Sequence, residues 1–363
     1  MAELSVAIIE AQLKAVKDRY LEKDIVTNKA VKAIDIEGNK VSVRVELGYP
    51  AGNYREELKH DIEVALSGIT GVTETDVTVE QQVAAHAVQK TLKRIEGIKN
   101  IIAIASGKGG VGKSTTSVNL ALALANDGAQ VGILDADIYG PSQPRMLGIS
   151  GKPESLDGNT LEPMQNYHVK AMSIGFLIDE GTPMIWRGPM VTQALEQLLK
   201  DTNWGKLDYL IVDLPPGTGD TQLTLSQKIP VSGAIIVTTP QDIALLDARK
   251  GLEMFRKVKV PVLGIVENMS MHICSQCGHA EPIFGQGGGE RMSDEYDVNL
   301  LGSLPLDIRI REHADSGHPS VVTDPDGKIS MIYRDIARKM SAQLAEKAKD
   351  YSAKFPNIVI QNT

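Results

Sequence analysis

Aromatic residues make up only 4% of this 363-residue chain, and cysteine occurs twice. Two thiols cannot support a disulfide scaffold, so stability has to come from a hydrophobic core. So few aromatics leave little for a platform that stacks single-stranded nucleic acid. No run of about 18 apolar residues is present, which excludes an ordinary membrane-spanning helix. The opening stretch MAELSVAIIEAQLKAVKDRY lacks the basic start and unbroken apolar core of a secretory leader, so a cytoplasmic location is expected. Excess positive charge is missing too: 38 Lys and Arg face 46 Asp and Glu, a formal net charge of −8. Such a surface is not built to neutralise a phosphate backbone, and neither nucleic acid nor a membrane is expected as partner. A single phosphate-binding pocket stays compatible with it. What is present is a globular mix, 42% hydrophobic and 23% charged. At about 150 residues per domain, the length allows two or three.

Residues 1–83 read as a small α+β domain. Leu4, Ile8, Leu13 and Val16 fall at helical spacing across 3–20. Residues 31–47 alternate around Gly38-Asn39, a two-residue loop suited to a tight hairpin. Residues 54–67 read as a second helix and 75–79 as a third strand. With no cysteine and no Ser/His/Asp set, this unit is expected to dock or regulate. Residues 84–99, AAHAVQKTLKRIEGIK, have no turn residue before Gly97 and read as a helical linker, with Lys90, Lys93, Arg94 and Lys99 as its solvated face.

Residues 100–363 have a different texture. Apolar runs recur at 101–106, 131–136, 209–214, 234–239, 262–267 and 300–305, most of them separated by helix-like stretches. Continuous apolar strands alternating with helices imply an α/β fold, a mostly parallel sheet flanked by helices.

The first of these strands leads into Gly107-Lys108-Gly109-Gly110-Val111-Gly112-Lys113-Ser114-Thr115. The glycines fit both the dinucleotide fingerprint and the P-loop. Lys113 and Ser114 decide for the P-loop, because they supply a cation for the β/γ-phosphates and a hydroxyl for Mg²⁺. The strand DYLIVD (208–213) ends in Asp213, the second metal-site residue, and completes a P-loop NTPase pattern. Backbone N–H groups of the loop and the following helix N-terminus would converge on phosphate oxygens. Asp135 and Asp137 point the same way if both lie in a strand, which suits a shared Mg²⁺ or water. Gly217, in the loop after Asp213, offers an amide to a γ-phosphate. The strand 262–267 runs into Asn268-Met269-Ser270-Met271, which keeps the asparagine of a guanine-reading motif but not its aspartate, so ATP is expected.

Cys274 and Cys277, in HICSQCGH (272–279), have the C-x-x-C spacing of a thiolate knuckle. They follow a late strand, unlike a redox dithiol, which would open a helix after an early one. A mononuclear zinc site would need His272 and His279 as well, each only two residues from a cysteine. Across a two-fold axis, a pair from each protomer makes four thiolates, the set for a 4Fe-4S cluster or an all-thiolate zinc site. Ligand softness alone does not separate these metals.

Taken together, the loop 107–115, LDADIYGPS (134–142), IWRGPM (185–190), DLPPGTGD (213–220), TTPQDIAL (238–245) and ENMS with C-x-x-C (267–277) resemble the Mrp/ApbC family of iron–sulfur cluster carrier proteins. The resemblance runs from residue 100 to about 345, and residues 1–83 look like iron–sulfur assembly factors. GKGGVGKST itself is similar to the deviant Walker A of nitrogenase iron protein and of septum-site and plasmid-partition ATPases. That likeness implies a homodimer in which Lys108 reaches the partner's nucleotide, Lys113 holds phosphate, Asp137 orients the attacking water and Asp213 holds Mg²⁺ through water. It further implies a labile 4Fe-4S cluster bridged by Cys274 and Cys277, received from cluster donors and delivered to apo-proteins, with ATP hydrolysis as the switch. The alternatives are a MinD/ParA-like spatial-positioning ATPase, for which residues 331–354 are the candidate surface helix, and a zinc-bridged ATPase scaffold.

Overall fold

The computed structural model describes residues 4–178, 188–274, 276–347 and 349. Residues 185–187 of the IWRGPM stretch and residues 348 and 350–354 of the candidate surface helix lie outside the described ones.

The N-terminal unit begins with α1 (Val6–Leu13), followed by the antiparallel pair β1 (Lys17–Asp18) and β2 (Lys23–Asp24). The expected hairpin is β3 (Val31–Glu37) and β4 (Lys40–Leu47), turning at Gly38-Asn39. After α2 (Tyr54–Ser67), β5 (Glu74–Gln81) returns parallel to β4 over its full length. Val41, Val43, Val45 and Leu47 alternate inward from β4 and meet Leu58, Ile62 and Leu66 of α2, all essentially buried. The first helix is shorter than its periodicity suggests. It stops at Leu13 because residues 17–18 pair with 23–24, and the Asp18 carboxylate accepts the Tyr20 N–H and the Tyr49 hydroxyl. Its buried face carries Ile9 and Leu13, whereas Ile8 is 38% exposed.

The segment expected to be a helical linker is not helical. Residues 84–97 are strapped across the larger unit by polar side chains instead. Asn100 donates to the Ala84 carbonyl at 2.8 Å and accepts the His86 N–H at 3.1 Å, and Gln89 donates to Ser226 O at 2.9 Å. Ile98 and Lys99 already belong to the next strand.

In the larger unit the described residues form β6 (Ile98–Ala105), α3 (Lys113–Asn126), β7 (Val131–Asp135), α4 (Gln143–Met146), β8 (Met164–Asn166) and β9 (Val169–Ser173). Then come α5 (Gly188–Asp201), β10 (Leu207–Asp213), α6 (Asp220–Lys228), β11 (Gly233–Thr238), α7 (Asp242–Lys257) and β12 (Val262–Glu267). The chain ends with β13 (His272–Ile273), β14 (Ala280–Glu281), α8 (Gly288–Tyr296), β15 (Leu300–Ser303), α9 (Ile308–Asp315), α10 (Ser320–Thr323) and α11 (Lys328–Ala345). Eight strands make one sheet in the order β15-β12-β11-β6-β10-β7-β9-β8. Every pairing in it is parallel except β8 with β9. Six strands coincide with the apolar runs. The edge pair β8 and β9 was not legible, since MQN and VKAMS are short and partly polar.

Helix α11 ends at Ala345, short of the expected 354. Its stripe Ile336, Met340 and Leu344 is fully buried in the core of the sheet, and Ala342 belongs to the core of the N-terminal unit. The two units therefore share this helix. They meet at Arg338, whose guanidinium forks onto Asp127 at 2.6 and 2.8 Å, at the C-cap of α3. The same group donates to Tyr20 Oη at 3.0 Å and Asn53 Oδ1 at 2.8 Å. Burial and a low local dielectric make such a network cooperative.

Candidate functional site

The strand order explains where the site lies. β10 inserts between β6 and β7, so Asp213 sits opposite Ile104 on one side and Asp135 on the other. Both carboxylates thus reach the carboxyl edge of the sheet beside the loop leaving β6, the crevice where open α/β sheets bind ligands. Gly107–Thr115 spans that loop and the first turn of α3.

Two glycines in the loop are dictated by close approach. A Cβ on Gly107 would sit 2.2 Å from the main-chain carbon of Asp247 in α7. At Gly112 (φ 81°) a Cβ would lie 2.1 Å from Asn268 Nδ2, which donates to the Val111 carbonyl at 2.9 Å. Asn268 is buried and here supports the loop from behind.

Lys113 is 6% exposed and Asp213 fully buried, with Nζ 2.6 Å from Asp213 Oδ1. Lys113 also donates to Ser114 Oγ at 3.2 Å. Asp213 accepts further bonds from Ser117 Oγ at 2.9 Å and Gln143 Nε2 at 2.9 Å. The buried ammonium of Lys113 is thus held on the buried Asp213 carboxylate.

β7 ends at Asp135, so Asp137 lies beyond the strand and the two do not share the face expected for a strand pair. The Asp135 oxygens take backbone N–H groups of Asp137, Ser142 and Gln143 at 3.2, 2.9 and 3.0 Å, and the Ser173 hydroxyl at 3.2 Å. Full burial, and next the nearby Asp213 charge, push its pKa up to about 7. It organises the 137–143 loop rather than opening onto the crevice. Asp137 is half-buried, its carboxyl raised by burial and eased back by the Lys113 ammonium. Lys108 is half-buried, and its carbonyl accepts the Ser106 hydroxyl at 2.9 Å. The Gly217 amide is engaged, donating to Ser106 O at 3.0 Å, so a phosphate would have to displace that bond.

Three features escaped sequence reasoning. Ser117 and Gln143 both bond Asp213, and Gln143 follows the LDADIYGPS stretch directly. A cavity of about 320 Å³ also opens beside the loop, lined by Gly110, Gly112, Thr115, Asn268, Leu306 and Arg311 among others.

Cys274 and Cys277 lie in the turn of the β13–β14 hairpin, closed by Cys274 N–H to His279 O and Gly278 N–H to Cys274 O, both 2.9 Å. Cys274 is half-buried and Cys277 exposed. Backbone N–H groups of Cys277 and then Gln276 pull the Cys274 thiol below its ordinary pKa, favouring its thiolate form. His272 lies 3.3 Å from the Leu306 carbonyl through Nδ1. Among the described residues no group of three or more His, Cys, Asp or Glu could hold a metal. No helix among them is long and apolar enough to cross a membrane.

Comparison with known proteins agrees with this geometry. The family model for NUBPL iron-transfer P-loop NTPases matches residues 97–341, and that for iron–sulfur cluster assembly proteins matches 7–79. An iron–sulfur cluster carrier protein of Pseudomonas fragi is 56% identical over 278 residues, 76% of this chain and 97% of that one. One from Escherichia coli strain K12 is 49% identical over 339 residues, 93% and 92% of the two chains. The mouse iron–sulfur cluster transfer protein NUBPL is 54% identical over 254 residues, covering 69% and 80%. Among solved structures, an Archaeoglobus fulgidus nucleotide-binding protein in complex with ADP superposes with a TM-score of 0.56 at 38% identity, over 64% of this chain and 91% of that one. The cell division ATPase MinD of Pyrococcus furiosus gives 0.50 at 26% identity, over 66% and 97%. The nucleotide loop, the sheet that presents it, the paired thiols and these relatives agree: the chain belongs to the Mrp/ApbC family of iron–sulfur cluster carriers, the NUBPL-type P-loop NTPases.

Proposed function

We propose that the chain is an ATP-driven carrier of a 4Fe-4S cluster, held between two copies by Cys274 and Cys277 of each and passed to apo iron–sulfur proteins. The observation that carries this reading is the thiolate hairpin. It offers one exposed and one half-buried cysteine, and among the described residues no group of three or more His, Cys, Asp or Glu could hold a metal within the protomer. Ile273 and Ile283 beside it are 47% and 52% exposed, apolar surface suited to a second copy. We place the carrier in the cytoplasm, where thiols remain reduced, receiving clusters from donors.

The nucleotide site would work as the switch. Lys113 would leave Asp213 for the β/γ-phosphates, and Ser114 and Asp213 would hold Mg²⁺, which would supply neutralisation of charge developing on the phosphates. Asp213 keeps Ser117 and Gln143 as donors. Gly217 exchanges the Ser106 carbonyl for the γ-phosphate, and Asp137 orients the attacking water. The cavity by Asn268 and Leu306 receives the adenine. Lys108 has no carboxylate partner among the described residues of its own protomer and reaches the partner's nucleotide.

Anaerobic reconstitution with ferrous iron and sulfide tests the carrier reading. Wild type should take up about two iron atoms per protomer with the visible absorption of a cluster, and Cys274→Ser/Cys277→Ser should take up none. Equal iron in both proteins, or a chain that binds only zinc, would overturn it, the latter in favour of the zinc-bridged scaffold. For the switch, Lys108→Ala should retain ATP affinity within about twofold and lose turnover on the order of 10³-fold, as when an arginine finger is removed. Unchanged turnover would eliminate a role in trans.

A further inference from the structure

Gln143 opens α4 and is 1% exposed. Its Nε2 donates to Asp213 Oδ2 at 2.9 Å and to the Ser114 carbonyl at 3.1 Å. Its backbone N–H is fixed by Asp135 Oδ2 at 3.0 Å, so a buried carboxylate holds the main chain that carries it. The other end of the amide is different. Oε1 is buried and accepts nothing among the described residues, and the neighbouring Ser142 Oγ is likewise buried without a partner there. Turning the amide over offers no escape, because Oε1 would then face a carboxylate and a carbonyl, acceptor against acceptors. Folded proteins seldom leave a buried acceptor unpaired unless something binds there. Lys113 does not fill the role, since its ammonium is bonded to Asp213 and Ser114 Oγ.

We propose that Gln143 is a positioning residue of the Mg²⁺ site, its Oε1 accepting a hydrogen bond from a metal-bound water while its Nε2 keeps Asp213 aimed at the metal. This rests on the Mg²⁺–nucleotide reading of the loop. When Lys113 departs for phosphate, Asp213 loses its only cationic partner among the described residues. Gln143 and Ser117 are then the neutral donors that hold it in place. Water on a divalent cation is a strong donor, and the orphaned Oε1 is an acceptor without competition. Groups that orient metal-bound ligands from outside the coordination sphere change metal affinity by about 10–100-fold when removed.

The test titrates Mg²⁺ into the full chain with ADP, reading nucleotide affinity first in EDTA and then against metal concentration. Gln143→Met keeps the bulk and removes both polar atoms. It should leave metal-free ADP affinity within about twofold of wild type and raise the Mg²⁺ midpoint by about tenfold or more. Gln143→Glu keeps the bulk but sets a carboxylate against Asp213 and the Ser114 carbonyl in place of the Nε2 donor, and should raise that midpoint too. A Met variant with an unchanged midpoint overturns the proposal. So does equal loss of ADP affinity with and without metal, which would make Gln143 a prop for the loop. A Glu variant that lowers the midpoint also overturns it, because Asp213 would then not need the Nε2 donor. If wild-type ADP binding is indifferent to Mg²⁺, the metal reading of the loop fails first, and the role of Gln143 fails with it.

Discussion

Lys113→Ala is expected to abolish nucleotide binding and, independently, to weaken the empty protein. Hydrogen bonds to charged groups contribute about 1.5–3 kcal/mol each, so losing two phosphate contacts should raise the ADP and ATP dissociation constants at least about 100-fold. The second effect follows from the 2.6 Å contact with fully buried Asp213. Removing one partner of a buried pair generally costs about 3–5 kcal/mol, because the survivor is left charged in a poor solvent. Here the cost should fall below that range, since Ser117 and Gln143 still donate to Asp213. The two effects separate in Lys113→Ala/Asp213→Asn. Thermal unfolding should recover most of the lost stability, while calorimetry should still detect no nucleotide. Retention of ADP affinity within tenfold in the single variant would take Lys113 out of the phosphate site.

Arg338→Met is expected to be the most damaging substitution where the two units meet. Both Arg338 and Asp127 are 5% exposed, and the guanidinium serves Asp127, Tyr20 and Asn53 at once. Loss of the cation strands the Asp127 charge, which should cost about 3–5 kcal/mol. A fall in Tm on the order of 10 °C follows at the usual conversion for domains of this size. Arg338→Lys should recover little, because an ammonium cannot span the carboxylate in a fork. Adding Asp127→Asn to Arg338→Met should return more than half of the loss. Strictly additive losses in that cycle would mean the pair does not interact.

Much of the fold and of the nucleotide site was legible, for reasons that differ by element. Strands buried on both faces announce themselves as apolar runs, so six of the eight in the large sheet stood out, while the short edge pair 164–166 and 169–173 did not. Gly107 to Thr115 are contiguous, and their chemistry follows from residue type alone. Asp213 and Asp135 are far apart in sequence, but each ends an apolar strand, so their meeting was also foreseeable. What stayed hidden depends on contacts between distant segments. Gln143 matters only because Asp135 holds its backbone beside Asp213. The cavity next to the loop draws Leu306 and Arg311 from almost 200 residues downstream, and no local pattern marks them. The 84–97 segment misled because the absence of glycine and proline reads as helix, when polar bonds to Asn100 and Ser226 govern it.

The shared helix bears on modularity. The two regions 7–79 and 97–341 are matched separately, as independent parts joined by a strap would be. Yet Ala342 completes the interior of the first, and Tyr20 and Asn53 of the first satisfy a guanidinium belonging to the second. A fragment cut in the strap would present an apolar socket on one piece and a stripped Arg338–Asp127 pair on the other. Neither half has a finished surface of its own. Graft or truncation experiments on this chain should therefore carry α11 along with residues 1–83, and the helix is better counted as common property than as the tail of the P-loop unit.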